Sequence, residues 1–131
     1  MLPKPERLKD RRVFDFVFSG KNKGKLRVSS RLFTLCYLLK RKNINMLPKV
    51  AFIVGTKIDK RSVKRNLIKR RMREAYKIVK KKLFQINKNI LDNYFAFIWI
   101  ANLPAKDATF DEIVRSMESL LCLAARVEVK T

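Results

Sequence analysis

The chain has 131 residues and not one of them is histidine. Histidine is the side chain used most often for general acid–base catalysis and for metal ligation, so both kinds of site lose their commonest component. The three glycines are too few for a phosphate-cradling loop of the GxxxxGKS type. Among only 11 acids, the neighbours Asp111 and Glu112 point to different helix faces and do not make a two-metal nuclease centre. We therefore predict no catalytic residue and no metal site in this polypeptide.

Cysteines and long apolar runs are scarce as well. Cys36 and Cys122 lie far apart, each within an apolar segment, which indicates buried, reduced thiols and a reducing compartment. The longest apolar run, Tyr94–Ala101, is far shorter than the roughly 20 residues of a membrane span. The polar start MLPKPERLKDRR contains no secretory signal. We expect a cytoplasmic protein without a membrane segment.

Positive charge is what the chain has in excess. There are 32 Lys and Arg residues against 11 acids, a formal net charge of +21. Between residues 57 and 82 the only acids are Asp59 and Glu74, and they face thirteen cations: 57, 60, 61, 64, 65, 69, 70, 71, 73, 77, 80, 81 and 82. So many like charges repel one another, and the proteins that tolerate such repulsion most often bind nucleic acid. Arg binds phosphate oxygens there through its planar guanidinium group. The segment predicts a surface for RNA or DNA.

The order of sequence patterns predicts one α+β domain over residues 1–131, with an extended arm at 1–6 and a tail at 127–131. Helical and strand patterns follow each other in the order α-β-β-β-α-β-α. Helices are predicted at 8–18, 61–83 and 109–126, and strands at 26–28, 31–39, 49–56 and 93–101. We expect an α/β sandwich in which a central, mostly antiparallel sheet of about four strands packs with the three helices.

The basic helix at 61–83 is predicted to be amphipathic. Six apolar side chains fall within one arc of about 100°: Ile68, Met72, Ala75, Tyr76, Val79 and Leu83. Cations take much of the opposite side: Lys69, Arg70, Arg73, Lys77, Lys80 and Lys81. Leu67 and Ile78 fall outside the apolar arc.

Two further elements carry specific expectations. The strand at 49–56 is apolar on both faces, which is typical of a central strand. In the last helix, Thr109 is a candidate cap and Glu112 stands at the capping-box position. Its apolar face comprises Phe110, Ile113, Val114, Met117, Leu120, Leu121 and Ala124.

A second RNA-binding surface is indicated by Phe14, Phe16 and Phe18 in the first helix, which is flanked by Lys9, Arg11 and Arg12. Exposed aromatic rings beside cations stack on unpaired bases. The alternative, in which Phe14 and Phe18 simply pack on the sheet, remains open from composition alone.

The segment KRNLIKRRMREA at 64–75 resembles the Arg-Asn-Arg helix, RNRxKRxxRE, of the protein subunit of bacterial ribonuclease P. VAFIVGTK at 50–57 resembles the strand before that helix, and KRSV at 60–63 resembles its lead-in. The likeness extends over about residues 7–125, nearly the whole domain. It implies that a large RNA cleaves the 5′ leader from precursor tRNA and mainly holds the magnesium. The protein would then bind no cofactor by itself.

The resemblance implies two RNA surfaces and partners of two kinds, the ribonuclease P RNA and precursor tRNA, with no membrane or protein partner required. Contacts to the catalytic RNA would come from Lys60, Arg61, Lys64, Arg65, Asn66, Lys69, Arg70 and Arg73. Contacts to the leader would come from Phe14 and Phe18, with Phe16 as an additional aromatic, and from the strand position of Cys36. The family fold also implies a left-handed crossover through the basic helix, against the general right-handed rule.

Two positions depart from the family pattern. Leu67 stands where the third member of the Arg-Asn-Arg set is an arginine. Cys36 aligns with a strand aromatic, while Tyr37 is one position on and therefore on the other face of the strand.

Two other functions are also compatible with a strongly basic chain. A basic ribosomal or ribosome-assembly protein has a similar composition, but it does not account for the motif centred on Asn66. A cationic membrane-surface protein would carry Trp or Phe opposite the basic face of a helix. Trp99 instead lies in a predicted strand.

Overall fold

The computed structural model describes residues 27–39, 48–86 and 94–129. Along these residues run β1 (Arg27–Ser29), β2 (Phe33–Leu39), β3 (Lys49–Ile53), α1 (Ser62–Ile86), β4 (Tyr94–Ala101), a 3₁₀ turn (Leu103–Asp107) and α2 (Phe110–Val129). The predicted α+β class is confirmed. Helix α1 extends further than the predicted end at 83, and α2 continues into the predicted tail. The arm at 1–6 and the first helix at 8–18 lie outside the described residues.

The four strands form one sheet in the order β1-β2-β4-β3. β1 pairs with β2 and β2 with β4 in antiparallel fashion, so that Leu35 lies opposite both Val28 and Trp99. β3 runs parallel to β4, with Phe52 opposite Trp99. A mostly antiparallel sheet is therefore confirmed. The chain passes from β3 to its parallel neighbour β4 through α1, and the hand of this crossover stays a prediction.

The predicted central position of the third strand is wrong, because β3 stands at the edge of the described sheet and β4 lies inside it. The apolar run in β3 has a different cause. Val50 and Phe52 belong to the core beneath the helices, whereas Ala51 and Ile53 pack with Cys36 on the opposite face. The apolar run from Val50 to Ile53 thus reports that β3 contributes side chains to packing on both faces of the sheet, and not how many strands pair with it.

The main core lies between the sheet and the two helices. Helix α1 buries the same six residues that the helical period predicts. Tyr76 meets Phe97 and Trp99 edge to face, with ring centroids 6.5 and 6.3 Å apart, and Trp99 meets Phe33 at 6.3 Å. These rings are almost completely buried, and each contributes about 1.5–3 kcal/mol by burial. This packing fixes the position of α1 against the sheet, and with it the backbone positions that carry the outward side chains.

The segment between β4 and α2 is fixed by polar contacts. The Asn102 side-chain amide donates to the Ser30 carbonyl oxygen at 3.0 Å and so ties the start of the 3₁₀ turn to β1. At the start of α2, the Glu112 N–H donates to Thr109 Oγ1 at 3.2 Å, and the Thr109 N–H donates to Glu112 Oε1 at 3.3 Å. This reciprocal pair confirms the predicted capping box. These hydrogen bonds hold the 3₁₀ turn and the first turn of α2 in place beside α1.

Candidate nucleic-acid interface

The chain enters the basic helix through a buried carboxylate, Asp59, which is only 7% exposed. Its Oδ1 accepts hydrogen bonds from the Arg61 backbone N–H at 2.9 Å and from Arg61 Nε at 3.2 Å, and its Oδ2 accepts one from Arg61 Nη2 at 3.2 Å. Lys106 Nζ, in the 3₁₀ turn, lies 3.3 Å from Oδ2. Asp59 thus joins the lead-in of α1 to the segment that precedes α2.

The charges around Asp59 shift its titration. Hydrogen bonds from the Arg61 side chain and backbone hold the pKa of the Asp59 carboxyl far below its usual range, and Lys106 adds to the effect. The same pairing raises the pKa of Arg61. The first turn of α1 contains no acid, although the positive end of a helix dipole favours one. Asp59 supplies negative charge there and offsets the cations that crowd the start of the helix.

Arg65 is half-buried and turned back toward the lead-in. Its Nη1 donates to the carbonyl oxygen of Asp59 at 3.0 Å and to that of Lys60 at 2.8 Å. Hydrogen bonds from a charged donor to carbonyl oxygens are among the stronger ones in proteins. Arg65, predicted to contact the catalytic RNA, therefore also shapes the lead-in that carries Lys60 and Arg61.

One side of α1 presents the remaining predicted cations. We call Asn66, Lys69, Arg70, Arg73 and Lys77 the cationic flank, because their spacing of three or four residues aligns them along the helix. Among the residues that the structure describes, no carboxylate pairs with Lys69, Arg70 or Arg73, whereas Lys77 lies 3.5 Å from Glu74. Side chains of this kind are available to phosphate oxygens.

The other side of α1 faces the 3₁₀ turn and the start of α2. We call Lys64, Leu67, Arg71 and Glu74 the groove flank. Leu67, Arg70, Arg71, Glu74 and Phe110 line an open cleft of about 300 Å³. A second cleft of about 170 Å³ adjoins it and is lined by Asp59, Arg61, Lys64, Leu67, Ile68, Arg71, Lys106 and Asp107. Leu67 is 39% exposed and Phe110 37%, so both offer apolar surface beside cations.

The residues predicted for a leader surface are only partly described. Phe14, Phe16 and Phe18 lie outside the described residues. Cys36 is 8% exposed and packs with Ala96 and Ile98 on the sheet face opposite the helices. Tyr37 points into the core beneath the helices, as strand alternation predicts. The structure therefore separates Cys36 from the cations of α1 by the thickness of the sheet.

Three features of this surface were missed in the sequence. Asp59 was counted only as an opposing acid, although an acid just before a helix is a recognisable start signal. Phe110 was assigned to the apolar face of the last helix, whereas more than a third of it is exposed. Lys106 has no local signal, because its partner Asp59 is far away in the sequence.

Neither metal coordination nor membrane spanning finds support in what is described. Within residues 27–39, 48–86 and 94–129, no cluster of three or more Cys, Asp or Glu side chains could hold a metal ion. Over the same ranges, no helix combines the length and the apolar character needed to cross a bilayer.

Comparison with known proteins decides the family of the chain. The family model for ribonuclease P matches residues 2–124. The chain belongs to the ribonuclease P protein family. Its fold is also that of the family, since the Staphylococcus aureus RNase P protein aligns with a TM-score of 0.66 at 30% identity, covering 92% of this chain and 96% of that one.

One further relative supports the same placement in the ribonuclease P family, and another supports the fold. A Synechococcus protein, the "Ribonuclease P protein component" of strain JA-2-3B'a(2-13), is 35% identical over 74 residues. That match covers 56% of this chain and spans about half of the relative, 53% of its length. The RNase P protein from Thermotoga maritima aligns with a TM-score of 0.61 over 88% of this chain and 94% of that one, and at 21% identity it attests the fold alone.

Proposed function

We propose that this chain is the protein subunit of ribonuclease P and that it assists endonucleolytic removal of the 5′ leader from precursor tRNA. The main support for this proposal is the cationic flank. Its Lys69, Arg70 and Arg73 lie on a helix packed against the core and have no carboxylate partner among the described residues. Because the chain belongs to the ribonuclease P family, the polyanion that these cations would bind is ribonuclease P RNA.

Binding to the catalytic RNA would use the lead-in and the first half of α1. Lys60, Arg61 and Lys64 stand at the start of the helix, where its dipole also favours phosphate. The cationic flank continues this surface through Asn66, Lys69, Arg70 and Arg73. If about six to ten phosphates are neutralised, affinity should fall by about 10³–10⁵ between 50 and 200 mM salt.

Cleavage in this proposal belongs to the RNA subunit, which mainly holds the magnesium. The chain has no histidine, and the buried acid at the start of the basic helix, Asp59, is paired with Arg61 and Lys106. The protein residues bind and orient RNA and take no chemical part. We propose a cytoplasmic location and no cofactor, membrane or protein partner.

The leader would bind a second surface formed by Phe14, Phe18, Phe16 and the sheet position of Cys36. Aromatic rings hold unpaired bases by stacking. Because Cys36 lies on the sheet face away from α1, catalytic RNA and leader would occupy different sides of the protein. A thiol offers far less stacking surface than an aromatic ring, so the phenylalanines would carry most of the leader contact.

Reconstitution tests the proposal directly. The purified chain should be inactive alone and should stimulate cleavage of precursor tRNA by a bacterial ribonuclease P RNA at low magnesium. A matched control replaces the chain with an unrelated basic RNA-binding protein of similar charge. Equal activity with and without the chain would refute the assignment, and cleavage by the chain alone would refute the non-catalytic role.

A further inference from the structure

The two adjoining clefts on the groove flank have different chemistry. The larger one has an apolar floor in Leu67 and Phe110 and a charged rim in Arg70, Arg71 and Glu74. The smaller one combines the apolar Leu67 and Ile68 with charged side chains, among them Arg61, Lys64 and Lys106. Leu67 and Arg71 line both clefts, so the pair forms one continuous groove between α1 and the start of α2.

We infer that this groove binds one unpaired nucleotide of RNA, with its base against Leu67 and Phe110 and its phosphate between Lys64 and Arg71. The inference rests on the proposed function and adds a base-binding site to a helix otherwise expected to bind phosphates. The larger cleft, at about 300 Å³, is at the lower end of the size of small-molecule sites. It therefore suits a single base better than a helical segment.

The apolar floor exists because of a departure from the family motif. Leu67 stands at the position where the motif has arginine, and it is exposed on the helix surface beside Phe110. An arginine there would fill the cleft with a charged side chain. Leucine leaves the aromatic ring of Phe110 accessible, and any base can stack on such a ring because every base has a π-face.

The surrounding charges favour an anionic occupant that also carries a hydrogen-bond donor, as a nucleotide does. Five cations line the two clefts against three carboxylates. Asp59 is already neutralised by Arg61 and Lys106. Arg71 is exposed, and among the described residues no carboxylate pairs with it. Its planar fork can grip phosphate oxygens bidentately. The Glu74 carboxylate at the rim can accept a hydrogen bond from the amino group of a base.

Crosslinking from the groove locates its occupant. The full chain with p-benzoylphenylalanine at position 110 is assembled with ribonuclease P RNA, irradiated, and the adduct is mapped on the RNA. Position 123 is the matched control, because Leu123 is also on α2 and is 42% exposed. We expect an adduct to an unpaired nucleotide from position 110 and none at that nucleotide from position 123.

Affinity measurements on the same complex test the energetic contribution. Leu67→Ala and Phe110→Ala should each weaken binding to ribonuclease P RNA by about tenfold, within the range for one base on an aromatic ring. The salt slope should not change, since neither side chain is charged. Ile78→Ala is the control, being an exposed aliphatic residue of α1, 49% exposed, outside the groove. Phe110→Tyr keeps the ring and should restore binding, and melting curves show that each variant is folded.

The outcomes separate the two proposals. Three results would overturn the groove site while the proposed function stands. The first is wild-type affinity in both alanine variants. The others are equal adducts from positions 110 and 123, and adducts only to base-paired nucleotides. The absence of any RNA adduct from position 110 in the assembled complex would overturn the groove site as well. A wild-type chain that neither binds the RNA nor stimulates cleavage would defeat the proposed function itself.

Discussion

The two flanks of α1 share one helix and one excess of positive charge, but their surroundings differ. On the cationic flank, Lys69, Arg70 and Arg73 form no ion pair with a described carboxylate, and Glu74 pairs with Lys77 instead. On the groove flank, Leu67 and Arg71 face the 3₁₀ turn and Phe110, so charge is combined with apolar surface. Charge density alone describes the first flank well. It describes the second poorly, because a neighbouring element changes what the same helix can bind.

The start of the helix differs from both flanks. Arg61 donates hydrogen bonds to the Asp59 carboxylate, and Arg65 donates to the backbone carbonyl oxygens of Asp59 and Lys60. Identical side chains on one helix therefore serve either the protein or a ligand, depending on what lies within reach. Substitutions that distinguish these roles follow in order of expected effect.

The largest effect should come from removing charge on the cationic flank. Lys69→Ala with Arg73→Ala, which removes two cations that line neither cleft, should weaken binding to ribonuclease P RNA by at least about 100-fold, because hydrogen bonds to charged groups are worth about 1.5–3 kcal/mol each. The salt slope should fall by about two. Binding is measured by filter retention at several salt concentrations. Arg27→Ala with Arg115→Ala removes the same charge from exposed sites outside α1 and should change little; an equal loss in that control would mean that only net charge matters.

A smaller effect, on stability, should follow from Asp59→Asn. The pKa of this carboxyl is lowered in the folded protein, so between the folded and unfolded pKa values the unfolded state binds more protons. Its contribution is present above the unfolded pKa of about 4 and is lost as pH falls below that value. The melting temperature of Asp59→Asn should therefore lie below that of the wild type at neutral pH, and the gap should narrow below pH 4. Asp107→Asn, at an exposed neighbour, is the control; a gap that stays constant at low pH would contradict the role of Asp59.

The smallest effect should come from making the groove flank resemble the cationic flank. Leu67→Arg adds a cation but fills the base cleft, so the salt slope should steepen by about one. RNA affinity should rise slightly at low salt and fall below the wild type at high salt, while the free energy of unfolding stays within about 0.5 kcal/mol. Leu123→Arg controls for added charge. Parallel salt curves for Leu67→Arg and the wild type would show that the two flanks do not differ in the way proposed.

Much of the fold could be predicted because its signals are local. The six buried residues of α1 follow from the helical period, and the capping box of α2 follows from Thr109 and Glu112 three residues apart. The predicted central position of β3 in the sheet was wrong. Its apolar run reflects side-chain packing on both faces of the sheet, a property that edge and central strands can share.

The candidate site was predictable only in part, for the same reason. Lys69, Arg70 and Arg73 could be placed away from the apolar arc of a helix from the sequence alone, and the structure finds Arg70 exposed and Lys69 and Arg73 half-buried. The pairing of Asp59 with Lys106 and the meeting of Leu67 with Phe110 join residues more than forty positions apart. No periodicity or motif encodes such contacts, since they exist only once α1 and the start of α2 are packed together.

By itself, the sequence determined the composition of a polyanion-binding helix, its buried face and the absence of histidine chemistry. These follow from residue types and from spacings within one element, where geometry is nearly constant. Only the tertiary structure decided which cations stay available and which hold the lead-in. It also decided that Leu67 lies in a groove with an aromatic ring. The physical reason is that hydrogen bonds and clefts depend on distances of a few ångströms between elements remote in sequence.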